Sequence, residues 1–332
     1  MSKIAAPAEV GGFFRGKAFG GVAQMLLANN MNINSLRTLD TLRHEEWIEI
    51  DKAVLKSYQE NLIAVADLNR LGLTYNLKNG MGKTVLAYED MSDTEAADVS
   101  MDGITRGRND RPEFDMNYLP LPLIHKDFWF SARALAASRN DGSPLDTTMA
   151  ELAARKVAEK VEEILLVGAS TYTFGGGTIY GYADFTHANT GNLTAAWTAS
   201  AATGETILAD ILAMKQALID DRCSGPYMVY ISTSFSTAID EDFKSDSDKT
   251  IRNRLKEVAG ILDIRVADKL TAGTVLMVQM TSDVVRIVNG LPITNVQWDM
   301  EGGLATHFKV MTIQVPQLRA DQSDRAGVAV WT

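Results

Sequence analysis

Apolar residues recur at helical spacing over 43–71, where Trp47, Ile50, Val54, Tyr58, Leu62 and Val65 form one stripe that Gly72 ends. A clearer stripe runs through Ala154, Val157, Val161, Ile164 and Leu165, predicting a surface helix over 145–168 that stops at Gly168. Thr148 and Glu151 offer that helix a capping box. Its other face is charged, with Arg155, Lys156, Glu159, Lys160, Glu162 and Glu163; Arg155–Glu159 is a favourable i,i+4 pair and Glu159–Glu163 a repulsive one. A third amphipathic pattern covers 204–221 through Ile207, Ile211, Leu212, Leu218 and Ile219. Strand-like runs fall at 227–232, 261–266, 274–280, 284–288 and 307–315, with polar helices near 234–243 and 249–259. Residues 73–90 predict two short strands joined at Asn79-Gly80, and Ile124, Phe128 and Phe130 follow Pro120 and Pro122 as a further strand. Helices and strands mix without a repeated βαβ unit, so the fold class is α+β.

Two stretches escape this patterning. Residues 1–34 set Gly11, Gly12, Gly16, Gly20 and Gly21 among Phe13, Phe14 and Phe19, and carry Lys3, Arg15 and Lys17 against Glu9. Such glycine density weakens any regular element, and exposed phenylalanines need a surface to cover them, so this is an arm that lies against something. Residues 88–115 hold nine acidic residues against Arg106, Arg108 and Arg111, a net −6, with almost no bulky apolar periodicity. A loop of that length calls for a partner to lie upon.

Composition narrows the function. The 332 residues are 46% hydrophobic and 22% charged, which excludes wholesale disorder and suits two or three domains. A net charge of −10 argues against a surface that grips nucleic acid all over, though not against one basic face. The single cysteine, Cys223, excludes an internal disulfide framework and reads as a helix-end residue in a reducing compartment. No apolar signal region or run of 18 apolar residues is present, and the expectation is a soluble protein made in the cytosol.

The search for chemistry yields decoys. Gly82-Lys83-Thr84 ends like a phosphate loop, but the first glycine of GxxxxGK[ST] is replaced by Leu77 and the following residues read as strand. His44, His125, His187 and His307 share no ligand spacing. Ser232, Ser234 and Ser236 sit at a strand-to-helix junction, where hydroxyls cap helices, and Asp240-Glu241-Asp242 beside Lys244 reads as a solvated face. No cofactor, metal or catalytic residue is expected, nor a membrane partner. An arm, a long acidic excursion and a long surface helix are the features of a protein that binds copies of itself.

Residues 119–168, LPLPLIHKDFWFSARAL followed by ASRNDGSPLDTTMAELAARKVAEKVEEILLVG, resemble the extended-loop strand and spine helix of the HK97-fold major capsid proteins of tailed double-stranded-DNA phages. SDTEAADVSMDG (92–103) and GRNDRPEFD (107–115) are similar to the loop of members with an encapsulin-like sequence. The resemblance implies an N-terminal arm over 1–42, a helix over 43–72 and an extended loop over 73–135. A peripheral domain would span 136–199 and 301–332 with the spine helix at 145–168, and an axial domain 200–300. It implies a structural subunit of an icosahedral phage head, located in the virion capsid and assembled in the bacterial cytoplasm. An encapsulin-type shell around a cargo enzyme is the alternative.

The implied partners are other copies as hexamers and pentamers, a separate scaffold, a portal, decoration proteins, and packaged double-stranded DNA touched non-specifically. A separate scaffold is expected because no segment of about a hundred residues precedes the arm. Assembly candidates are Phe13, Phe14 and Phe19 to pin the arm, and Arg106, Arg108 and Arg111 to pair with acids of an adjoining subunit. Trp129 and Phe130 would anchor the loop base by burial, and Trp331 with Val328 and Val330 would close a subunit contact. Some relatives cross-link a loop lysine to a neighbour's asparagine; Lys78, Lys83 and Asn295 are the residues this would name, and no local motif marks them.

Overall fold

The computed structural model describes residues 44–60, 62–91, 101, 114–131, 133, 147–199, 202–244, 249–300, 305–321 and 323–332. The arm with Phe13, Phe14 and Phe19, and the acidic tip with Arg106, Arg108 and Arg111, lie outside the described residues.

The first stripe folds as α1 (His44–Glu60), which buries Trp47, Ile50, Val54 and Tyr58, and α2 (Ala64–Arg70), which buries Ala64, Val65 and Leu68. The single helix expected over 43–71 is therefore two. The break has a cause: the first amides of α2 donate to the side chain of Glu162 instead of to carbonyls of a preceding turn.

The hairpin expected over 73–90 does not form. Strand β1 (Thr74–Asn76) pairs parallel with β11 (Val285–Met300), while β2 (Val85–Met91) pairs antiparallel with β3 (Phe114–Pro120). Asn79, at φ 57°, leads into a 3-10 turn, Gly80–Gly82, that seats Gly80 on Gly290; a Cβ at Gly80 would lie 2.2 Å from the Gly290 carbonyl oxygen. The turn thus joins two different structures. One is a four-stranded sheet in which β4 (Ile124–Ser131) and β12 (Ala305–Leu318) pair antiparallel, the full order being β1–β11–β12–β4. The other is the β2–β3 ribbon, whose strands lead to and from the acidic segment.

One face of the four-stranded sheet packs beneath α1 and α3 (Thr148–Leu166). Phe308 is its centre: fully buried, stacked on Phe128 at 5.1 Å, and met edgewise by Trp47 at 5.9 Å and Phe130 at 5.7 Å. The expected capping box of α3 is not made. Thr148 is already helical, and Thr147 is the N-cap without a side-chain cap bond, its hydroxyl donating to Glu151 Oε1 at 3.1 Å. The hairpin β5 (Ala169–Phe174) and β6 (Gly177–Ile179) follows α3.

The second sheet is built from β7 (Asn189–Gly191), β8 (Tyr227–Ser232), β9 (Ile261–Ala267), β10 (Val275–Gln279) and β13 (Val328–Trp331), in the order β7–β13–β10–β8–β9. Alternation along β8 explains its wholly buried, continuous apolar run. Val229 and Ile231 meet α4 (Gly204–Asp220) and α5 (Ile251–Lys256), while Met228 and Tyr230 join the core around the first sheet. A complete capping box is found at α4, between Thr203 and Thr206.

Further expectations change here. Residues 234–243 form two 3-10 turns, Thr233–Phe235 and Ala238–Asp240, in place of the expected helix, and bury Phe235, Ala238 and Ile239 at the i, i+3, i+4 spacing that made the segment read as helical. The predicted 284–288 strand continues to Met300: Asn289-Gly290 and Pro292, which read as breakers, are absorbed as irregularities in its register with β12. Strand β11 thus belongs to the first sheet, not to an axial unit ending at 300. Strand β13 belongs to the second, and Val328 and Val330 are internal core there, not a subunit contact. Trp331 is part-buried, with its indole over Gly191. Within the extended loop expected over 73–135, β1 and β4 are strands of the four-stranded sheet, and β2 and β3 form the separate ribbon.

Phe308→Ala should lower the unfolding free energy of the unassembled chain by about 3–5 kcal/mol in urea titrations, whereas Trp129→Ala on the opposite face should change it by less than about 1 kcal/mol.

Candidate assembly surfaces

None of the decoys forms a reaction centre among the described residues. The turn before Lys83 packs on Gly290 and runs into β2, so no helix N-terminus faces it. Ser232 and Ser234 lie 2.7 Å apart and both accept from the Gly273 amide, fastening one turn to another. Asp240 holds Arg252 through two bonds, 2.7 and 3.1 Å, and Lys244 pairs with Glu205 at 2.6 Å. His125 lies 3.5 Å from Asp127 and His187 2.9 Å from Asp324. No group of three metal-ligating side chains occurs among the described residues. Burial pushes the Cys223 thiol up, away from the reactive thiolate. Asn295 is buried on β11 and Lys83 lines an open cleft.

The electrostatic centre of the body is on α3. Glu159 is held by Lys156 and Arg155 on its own helix, both at 2.9 Å, and by Lys269 from the turn after β9 at 3.2 Å. Hydrogen bonding to these cations, Lys156 above all, holds its pKa down at about 2. The expected repulsion with Glu163 is relieved because Glu163 pairs with Lys160.

Glu162 is not on the solvated face where the charge pattern places it. It is only 4% exposed, and its carboxylate accepts from the Ala64 amide at 2.6 Å and the Val65 amide at 3.3 Å. Desolvation raises its pKa, with the α2 amides pulling the other way. One turn along α2, Asp67 is also buried; Arg70 and Arg265 each approach it to 3.3 Å, and the Tyr230 hydroxyl donates at 3.4 Å. Desolvation raises the Asp67 pKa as well. Tyr182 stacks on Tyr230 at 6.0 Å beside them. This line of groups ties α3 to α2, and α2 to β8 and β9. A signal for Glu162 exists in the sequence: it continues the spacing of Ala150, Ala154 and Ala158, which are all buried.

The surfaces left open are apolar where the ribbon meets the body. Met116 and Tyr118 on β3, Tyr172 and Phe174 on β5, and Met81 in the 3-10 turn are exposed. Met81, Tyr172 and Phe174, with Pro120, Leu121 and Ile313, line a cleft of about 320 Å³. The outer face of the first sheet carries an aromatic row across three strands. Trp129 stacks on His307 at 6.2 Å, His307 on Trp298 at 5.6 Å, and Lys309 lies 5.5 Å over Trp298. Trp129 is 57% exposed, so it does not anchor the loop base by burial within one chain. Phe130 packs against Phe128 and Phe308.

A family model described as a family of unknown function, DUF6260, matches residues 34–330. No curated protein matches the sequence. Among solved structures, the chain is similar to the virus-like particle from Pyrococcus furiosus, with 18% identity, 87% of this chain and 99% of that one covered, and a TM-score of 0.62. It is also similar to the capsid of Myoviridae phage XM1, with 12% identity, 80% and 90% covered, and a TM-score of 0.61. The capsid of an empty GTA particle matches at 13% identity, 81% and 90% covered, with a TM-score of 0.53. The fold is the HK97-type capsid fold.

Burial makes the folded chain hold a proton on Glu162 more tightly than the unfolded chain does. Its stabilising contribution is full below the ordinary carboxyl pKa of 4.5 and is lost as pH rises through the folded value. Glu162→Gln keeps one acceptor and does not titrate, so this variant should gain on the wild type as pH rises above 4.5 in paired urea titrations. A difference that stays constant with pH would show that Glu162 does not titrate across that range.

Proposed function

The chain belongs to the DUF6260 family of unknown function, and we propose that it is a structural subunit that self-assembles into the icosahedral head of a tailed phage. The observation that carries this reading is coverage: the capsid likeness takes in about four-fifths of this chain and nine-tenths of the phage XM1 subunit. Little of either chain is left over for another task. Subunits of a shell meet through heterologous contacts that repeat around fivefold and sixfold axes, which calls for a rigid plate and an outgrowth that reaches a neighbour. Two sheets sharing one core supply the plate, and the β2–β3 ribbon supplies the outgrowth. In this reading the four-stranded sheet with α1 to α3 is the peripheral domain, and the five-stranded sheet with α4 and α5 is the axial domain.

The 92–113 tip, with Arg106, Arg108 and Arg111, would lie on an adjoining copy, and the arm with Phe13, Phe14 and Phe19 would be covered by one. The work is mechanical and asks for no catalytic group. Scaffold, portal and decoration proteins and packaged double-stranded DNA are the partners such a subunit meets, in a virion assembled in the host cytoplasm. A shell that encloses a cargo enzyme is the second reading. Likeness to the Pyrococcus furiosus virus-like particle, over 99% of that chain, favours it.

Electron microscopy of the chain expressed alone, after size-exclusion chromatography, should show closed shells, tubes, or rings of five or six. Replacing 92–113 with a short glycine turn should leave the body folded and cut shell yield at least tenfold. Shells at normal yield from that deletion would remove the tip from the assembly contacts, and a clean monomer from the full chain under assembling conditions would overturn both shell readings. Nucleic-acid content and shell diameter separate phage head from cargo compartment.

A further inference from the structure

Where β11 begins and β12 ends, two arginines stand near each other, and none of the described residues supplies them a counter-charge. Arg286 lies with its guanidinium carbon 4.4 Å over the ring of Tyr75, and Arg319 with its own 5.6 Å over Tyr88. Arg286 Nε donates to Gln317 Oε1 at 2.6 Å, from the residue directly across the ladder. Among the described residues no carboxylate pairs with either arginine. This is unusual in a chain of net charge −10, where Arg70, Arg265 and Arg325 each find an acid. Burial, and after it the charge of Arg319, lowers the Arg286 pKa, which places the two guanidinium groups within electrostatic reach of each other.

The same cluster holds donors with no acceptor. Gln317 is only 1% exposed; its Oε1 is used by Arg286, and its Nε2 is buried without a partner. Arg319 Nε is likewise buried and unpartnered. A buried donor left without an acceptor keeps its full desolvation penalty, so a cluster of them beside two unneutralised cations is poised for an anion. Tyr75 and Tyr88 each hold one guanidinium group against a ring, and a guanidinium so placed still carries terminal N–H donors of the kind that meet phosphate oxygens.

We propose that Arg286 and Arg319, with the Gln317 amide, form a binding site for a phosphate group. Two positive charges match a phosphate dianion, whereas a single carboxylate neutralises only one of them. Donors arriving from three side chains on two strands and the turn beyond them also suit four tetrahedral oxygens better than two coplanar ones. The phosphate can be a free ion or a unit of a nucleic-acid backbone; the chemistry at the arginines is the same. This inference does not depend on the shell reading, since it concerns one chain and its own side chains.

The test is calorimetric titration of the full chain with inorganic phosphate, with a duplex DNA oligonucleotide, and with succinate as a carboxylate control. Inorganic phosphate should bind, and Arg319→Gln and Arg286→Gln should each weaken it at least tenfold, with Arg319→Lys recovering part of the loss. Duplex binding that shows the same arginine dependence identifies a nucleic-acid backbone as the source; phosphate binding without duplex binding identifies a free anion. Absence of phosphate binding to the wild type, binding unchanged in Arg319→Gln, or succinate bound as tightly with the same dependence would overturn the proposal. Should Arg286→Gln fail to fold, Arg319→Gln decides, because the Arg319 side chain rests on a ring face at the sheet margin.

Discussion

A carboxylate taken out of water costs several kcal/mol unless donors meet its oxygens, and the body of this protein is organised around the donors that Glu162 finds. They are the first free amides of α2, which a continuous helix would have spent on its own preceding turn. Breaking the helix and burying the acid are therefore one event seen from two sides. With α2 turned onto α3, Asp67 comes to lie against Arg265 and Tyr230, so the second sheet docks through the same line of polar groups. The apolar contacts around Phe308 hold the first sheet to its helices, and this polar line ties those helices to β8 and β9.

The sequence reveals those parts of the fold whose cause is local. The stripes of α1, α3 and α4 are periodic because one face of each is buried, and the acidic segment stands out because nothing apolar interrupts it. Contacts between distant residues stay hidden. Nothing near Asn79-Gly80 announces that Gly290 will lie against it, so a turn signal reads as a hairpin. Asn289, Gly290 and Pro292 look like the end of a strand and are instead irregularities that a long partner strand tolerates. Val328 and Val330 read as a sticky tail because β10, their partner across the ladder, comes much earlier in the chain. At the surface, residue type alone does not separate a contact with a neighbour from a contact within the chain. Trp129 is open, Phe130 packs within its own chain, and Trp331 is part-buried, although all three are aromatic residues on strands.

The surface has two different characters. Around the ribbon root it is apolar and cleft-like, the kind of ground on which another chain can bury area. On the outer face of the first sheet it is a row of flat rings flanked by Lys309 and Asp127, with an ion pair at 3.5 Å beside the stack. A plate with such unlike faces has a built-in direction, and copies joined by a repeated contact will all turn the same face the same way.

Strand β13 lies second from one edge of the five-stranded sheet, yet it is made after every strand it touches. Until it arrives, β10 presents a bare edge, and the core shared by the two sheets stands open along Leu276 and Val278. Closure of the body therefore waits on a strand made after both of its neighbours, and a copy broken off before β13 carries an exposed, sticky seam that a copy with β13 does not.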